Sequence, residues 1–168
     1  MNIQKHGKIL FICILFYQII NSIGKPFIIR MSLITMTMEI EKEIRELLSF
    51  LASYHNASIP DDVNRLETCF SDNMYLISVS GRKIAKHELI KGIKLSYGST
   101  KEASYWAENT TIEELGEGYY LAIFTEHRKT KGTTNSRIST SIFVPNQNAP
   151  NGVQWLHIHD TLVREVLY

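Results

Sequence analysis

No charge of either sign dominates this sequence: 18 lysines and arginines stand against 17 aspartates and glutamates, for a formal net charge of +1. Without a strong field, or a basic patch interleaved with aromatics, the chain lacks the electrostatic footprint of a nucleic-acid binder. Cysteine is nearly missing as well. Cys13 lies in an N-terminal apolar run and Cys69 in the body, so loss of that run leaves no intramolecular disulfide. Cys69, on the apolar side of the short helical pattern "RLETCF", reads as a buried packing thiol rather than a reactive one. There is no CxxC, no phosphate-cradling glycine-rich loop, no Ser-His-Asp order, no internal repeat and no low-complexity tract. The apolar run itself reaches only twelve residues, too short for a stable membrane span.

What is present at the N-terminus reads in two ways. Basic "MNIQKHGK", apolar "ILFICILFYQII" and small "NSIG" follow the order of a secretory signal peptide ending near Gly24. A secreted product would offer Asn56 in "NAS" and Asn109 in "NTT" as glycosylation acceptors. Alternatively Met31, Met36 or Met38 is the start, and the product is cytoplasmic. Both readings place residues 1–36 outside a domain of residues 37–168.

From Thr37 the pattern becomes regular. In "TMEIEKEIRELLSFLASYH", Ile40, Ile44, Leu47, Leu48 and Leu51 fall at helical spacing, with Thr37 as the expected N-cap. "DDVNRLETCF" predicts a shorter helix, "MYLISVSG" a strand, and "KHELIKGIKLSYG" a third helix stopped by Gly98. Then the period switches to two. "EASYWAENTTIEEL", "GYYLAIFTEHRK", "SRISTSIFV" and "VQWLHIHDTLV" are four strand candidates joined by turn compositions. Helices gathered before a sheet make an α+β domain whose sheet wraps the first helix.

This order, with "LETCFSDNMYLISVSGRKIAKHELIKGI", the hairpin "YYLAIFTEHR…SRISTSIFV" and the closing W-x-H-x-H strand, resembles the nuclear transport factor 2-like (SnoaL-like) superfamily over roughly Met38 to Arg164. Within it the chain is most similar to the small branch of unknown function related to the association (hub) domain of calcium/calmodulin-dependent kinase. The resemblance implies a cone: a strongly curved antiparallel sheet wrapped by three helices, with an apolar pocket at one end. It also implies a homodimer or higher homo-oligomer. The same cone serves isomerases, dehydratases, cyclases and transport factors, so function has to be argued at the site.

Alternation along "VQWLHIHDTLV" places Trp155, His157, His159 and Thr161 on one face and Leu156, Ile158, Asp160 and Leu162 on the other. Two histidines side by side suit a metal, but a metal needs a third ligand and a supporting shell. His127 and Glu126 are the neighbours at hand, and we expect neither a metal nor a cofactor. The resemblance makes Trp155, His157 and His159 interface residues. On the opposite face Asp160 is a lone carboxylate in an apolar strip. It is either a general acid or base, with a tyrosine or with His55 at the mouth near Asp61 and Asp62 as its companion, or a strand-end residue that meets water or an arginine. In the hub branch an arginine typically stands where Asp160 does, so an anion pocket is not carried over. Tyr54, Tyr75, Tyr97, Trp106, Phe124, Thr140 and Ile158 are the expected pocket wall, suited to a small apolar ligand. The reading is a self-associating, non-catalytic module. Its alternative is a cyclase, isomerase or dehydratase using Asp160 as base.

Overall fold

The computed structural model describes residues 33–163. The signal-like run, Cys13 and Met31 lie outside the described residues. Helix α1 covers residues 33–55, and its stripe of Ile40, Ile44, Leu47, Leu48 and Leu51 is buried as the spacing predicts. Thr37 is not the N-cap. No glycine or proline interrupts residues 33–37, and the helix runs through them.

Helix α2 (Asn64–Cys69) leads directly into strand β1 (Phe70–Ile77), and a short β2 (Lys83–Ala85) precedes α3 (Lys86–Leu95). The Glu88 carboxylate accepts the Ala85 N–H at 3.1 Å, satisfying a donor at the start of α3. Strands β3 (Ser104–Gly116), β4 (Tyr119–Thr130), β5 (Thr133–Pro145) and β6 (Val153–Leu162) follow, with a 3-10 turn at Pro150–Gly152. The β3–β4 and β4–β5 connections are two-residue turns. Glu117–Gly118 and Lys131–Gly132 all have positive φ, the type I′ geometry that matches strand twist. That is why β5 starts at Thr133, inside the stretch "KTKGTTN" that reads as loop.

The six strands form one open sheet in the order β2-β1-β6-β5-β4-β3. The α+β layout is as expected, but the sheet is mixed rather than wholly antiparallel. β3 to β6 form an antiparallel meander, which returns β6 beside β1 and parallel to it.

One irregularity decides which side chains face inward, toward α1. Phe143 pairs with Trp155 but Ile142 pairs with His157, so Leu156 is an extra residue on β6. Such a bulge reverses the alternation beyond it. Trp155 is therefore an inner residue, 2% exposed, although simple alternation puts it outside. Beyond the bulge Ile158 and Asp160 face inward, while His157 and His159 face outward. Trp155 packs edge-on to Phe124 and tilted against Phe143, and is not available to meet a partner subunit.

Candidate functional site

The inner face of the sheet and the stripe of α1 enclose a cavity of about 150 Å³. Its floor is apolar. Leu47, Leu48 and Leu51 come from α1, Leu89 and Ile93 from α3, and Phe70, Leu76, Phe124, Trp155 and Ile158 from the sheet. The other end is polar and built by register. Glu126 on β4 is opposite Arg137 on β5, and Ser139 on β5 is opposite Asp160 on β6.

These groups neutralise one another. Arg137 Nη1 donates to Asp160 Oδ2 at 3.0 Å, and Ser139 Oγ donates to Asp160 Oδ1 at 2.6 Å. Arg137 Nε also stands 3.9 Å from Glu126 Oε1, which pairs closely with Arg128 Nε. Both carboxylates are buried and both guanidinium groups are partly covered. Asp160 lines the cavity, but it is not a lone carboxylate on an apolar strip: both its oxygens already accept hydrogen bonds. An arginine does meet Asp160, one of the two settings its place near the strand end allows. That it is Arg137, with Ser139 and Arg128 beside it, the sequence does not single out. Their signal was nevertheless there, since Phe124, Glu126 and Arg128 share parity, as do Arg137, Ser139 and Phe143.

His55, at the end of α1, also lines this cavity and a broader depression of about 690 Å³ beside α3. Its Nδ1 lies 2.8 Å from the Tyr105 hydroxyl, and the Arg128 guanidinium is 5.1 Å from the Tyr105 ring centroid. Burial lowers the His55 pKa below its ordinary value, and the Arg128 charge lowers it further. Burial likewise raises the Tyr105 hydroxyl. Both groups therefore favour their neutral forms.

Of the expected wall, Phe124 and Ile158 line the cavity. Tyr75 and Thr140 are on the outer face, paired in register with His157 and His159. Trp106 stacks on His127 and donates to Glu108 at 2.9 Å, away from the cavity lining. Tyr54 on α1 and Tyr97, just past α3, form their own edge-to-face pair beside the loop that follows α1. There Tyr54 donates to Asp61, and Tyr97 donates to the Ile59 carbonyl at 2.8 Å. Burial first, and Asp61 next, push the Tyr54 hydroxyl up to about 12. Asp62 accepts the Asn64 N–H at 2.8 Å just before α2. These residues hold the mouth together rather than face its interior.

The outer face reads in rows. Leu121, Ile142, His157 and Tyr75 are neighbours across β4, β5, β6 and β1; Ile123, Thr140, His159 and Ile77 form the next row. Leu115, Tyr119, Ile142 and the bulged Leu156 line a shallow cleft at the end of that face. Leu121, not His127, shares the row of His157. His127 instead lies 3.3 Å from Glu108. Among the described residues no group of three or more His, Cys, Asp or Glu gathers as metal ligands. No helix among them is long and apolar enough to cross a membrane. Cys69 is fully buried, and burial raises its thiol well above the ordinary range. Asn56 is committed to the backbone. Its amide donates to the Ala103 carbonyl at 2.9 Å and accepts the Ala103 N–H at 2.7 Å.

Solved structures share this fold at low identity. An NTF-2-like protein of unknown function from Pseudomonas aeruginosa matches 75% of this chain and 99% of its own, with 12% identity and a TM-score of 0.66. The kinase II hub homology domain of Chlamydomonas reinhardtii matches 77% of this chain and 99% of its own, at 13% identity and a TM-score of 0.60. The corresponding hub from S. rosetta covers 70% of this chain and 89% of its own, at 13% identity and 0.57. At such identities the likeness is one of fold, the nuclear transport factor 2-like cone. No curated protein matches the chain. A family model does, over residues 36–164, the stretch that among the described residues holds α2, α3, the six strands and all but the first three residues of α1. By that match the chain belongs to the sucrose-6-phosphate phosphohydrolase C-terminal family.

Proposed function

We propose that this chain is a self-associating, non-catalytic domain that meets a second copy of itself through the outer face of the sheet. One observation carries the reading. Tyr119, Ile123 and Ile138 stay exposed on outward positions of β4 and β5, continuous with half-buried Leu121, Ile142 and Leu156. A sheet with one solvated face normally alternates apolar-in and polar-out. A contiguous apolar outer face points to a protein partner. The kinase hubs that share the fold support a domain that assembles.

The enzyme reading needs a carboxylate free to take a proton. Asp160 is instead tied to Arg137 and Ser139, and its proposed companion His55 is engaged with Tyr105. At about 150 Å³ the cavity has room for one small ring and little more, so a ligand there would be small. Sedimentation velocity on the full chain tests the main reading. Wild type should run as a dimer or larger species, and Ile142→Glu should run as a folded monomer with unchanged far-UV circular dichroism. A wild type that is monomeric at tens of micromolar would sink it.

A further inference from the structure

We propose that His157 and His159 make this self-association pH-sensitive, closing the outer face at neutral pH and opening it in mild acid. The inference rests on the outer-face reading and adds its regulation.

The two imidazoles stand on adjacent outward positions of β6, with ring centroids 6.4 Å apart. His157 is flanked by Ile142 on β5 and Tyr75 on β1; His159 is flanked by Thr140 and Ile77. The charged group facing them comes from β2. Lys83 is opposite Ile77, and its Nζ lies 4.2 Å from the centroid of the Tyr75 ring. Among the described residues these two rows reach a carboxylate only at Glu113 on β3, beyond Leu121. Asp72 of β1 is taken up by Lys86 at 3.0 Å, and Glu108 by His127. Protonating His157 therefore places a positive charge near that of Lys83, with no carboxylate of these two rows nearer than Glu113. A symmetric pairing of two such faces would double the effect.

The hydrogen bonding says where the proton goes. His157 Nδ1 lies 3.2 Å from the Tyr75 carbonyl, an acceptor only, so Nδ1 carries the hydrogen and Nε2 takes the second proton. Burial, then His159 and Lys83, lower the His157 pKa, against the raising effect of the Tyr75 carbonyl. A lowered histidine pKa means that the folded form binds the proton less tightly. The penalty grows as pH falls below the ordinary histidine range, and covering the ring with a partner deepens it. Dissociation should then strengthen by about tenfold for each pKa unit that association takes from a histidine.

Sedimentation equilibrium at about pH 7.5 and about pH 5.5, on full-length wild type and His157→Gln/His159→Gln, tests this, with circular dichroism confirming the fold at each pH. His159 is exposed, so His159→Gln alone is a second variant with little folding risk. The expected result is wild type associated at the higher pH and dissociated at the lower, the double variant associated at both, and the single variant between them. Wild type associated at both values, or a double variant that dissociates alongside it, overturns the pH gate and leaves the outer-face reading standing. Wild type monomeric at both overturns the two together.

Discussion

Glu43 has no solvent exposure, although it sits on a helix that reads as an apolar stripe with a charged back. Its position, three after Ile40 and four before Leu47, puts it on the stripe itself, although a glutamate is ordinarily expected outside. Three donors hold it: Arg65 at 2.9 Å, Asn151 at 2.8 Å and the Trp155 indole at 3.3 Å. Burial raises the Glu43 carboxyl above the usual carboxylate range, while Asn151, Arg65 and Trp155 pull the other way. A raised acid holds its proton more tightly when folded. Its contribution to stability is thus present at low pH and lost as pH rises through the folded value. Urea denaturation at several pH values should show wild type losing stability relative to Glu43→Gln as pH rises. A difference that is flat or grows would contradict this account. The pairs around Arg137 make a second case. Arg137→Met should lower stability by about 3–5 kcal/mol, because it leaves buried Asp160 without its cation and takes the second of two guanidinium groups from buried Glu126. A loss under about 1 kcal/mol would show that water or Arg128 replaces it.

Helices and strands are where the sequence was easiest to read. Periods of 3.6 and 2 name the three helices and the meander because each element has one face in the core. The short β2 has only three residues, too few to show a period. The bulge at Leu156 left no mark either, since "QWLHIH" alternates no worse than a regular strand. Its consequence is large: it turns Trp155 inward and the two histidines outward. Deleting Leu156 should therefore leave a regular strand with Ile158 and Asp160 still facing α1, and most of the thermal stability should survive. Deleting Ile158 instead would reverse Asp160 and should unfold the domain. Equal loss of melting temperature in both deletions would argue against the bulge as the source of the facing.

At the scale of the molecule, the sheet separates two environments. The inner one is filled by α1, Trp155, Phe143 and Phe70 around a small cavity with balanced charges. The outer one presents isoleucine, tyrosine and histidine to whatever meets it. The proposed pairing predicts an asymmetry between two similarly exposed residues. Ile123→Lys, on the outer face, should weaken association as Ile142→Glu does. Leu162→Lys, opposite Arg137 and so on the inner side, should leave it unchanged by sedimentation. If both substitutions weaken association alike, the interface is not confined to the outer face.

The sequence by itself determined the α+β class, the helical stripe, the meander, the turn positions and the burial of Cys69. All of these follow from local periodicity, propensity and turn chemistry. Only the tertiary structure decided the parallel seam of β1 and β6, the facing of Trp155 and Asp160, and the partners of Glu43 and Asp160. Each depends on contacts between residues far apart in the chain, Glu43 with Trp155 and Asp160 with Arg137 among them. A carboxylate's chemistry is set by the donor that reaches it, and spacing along one strand does not reveal what stands on the next.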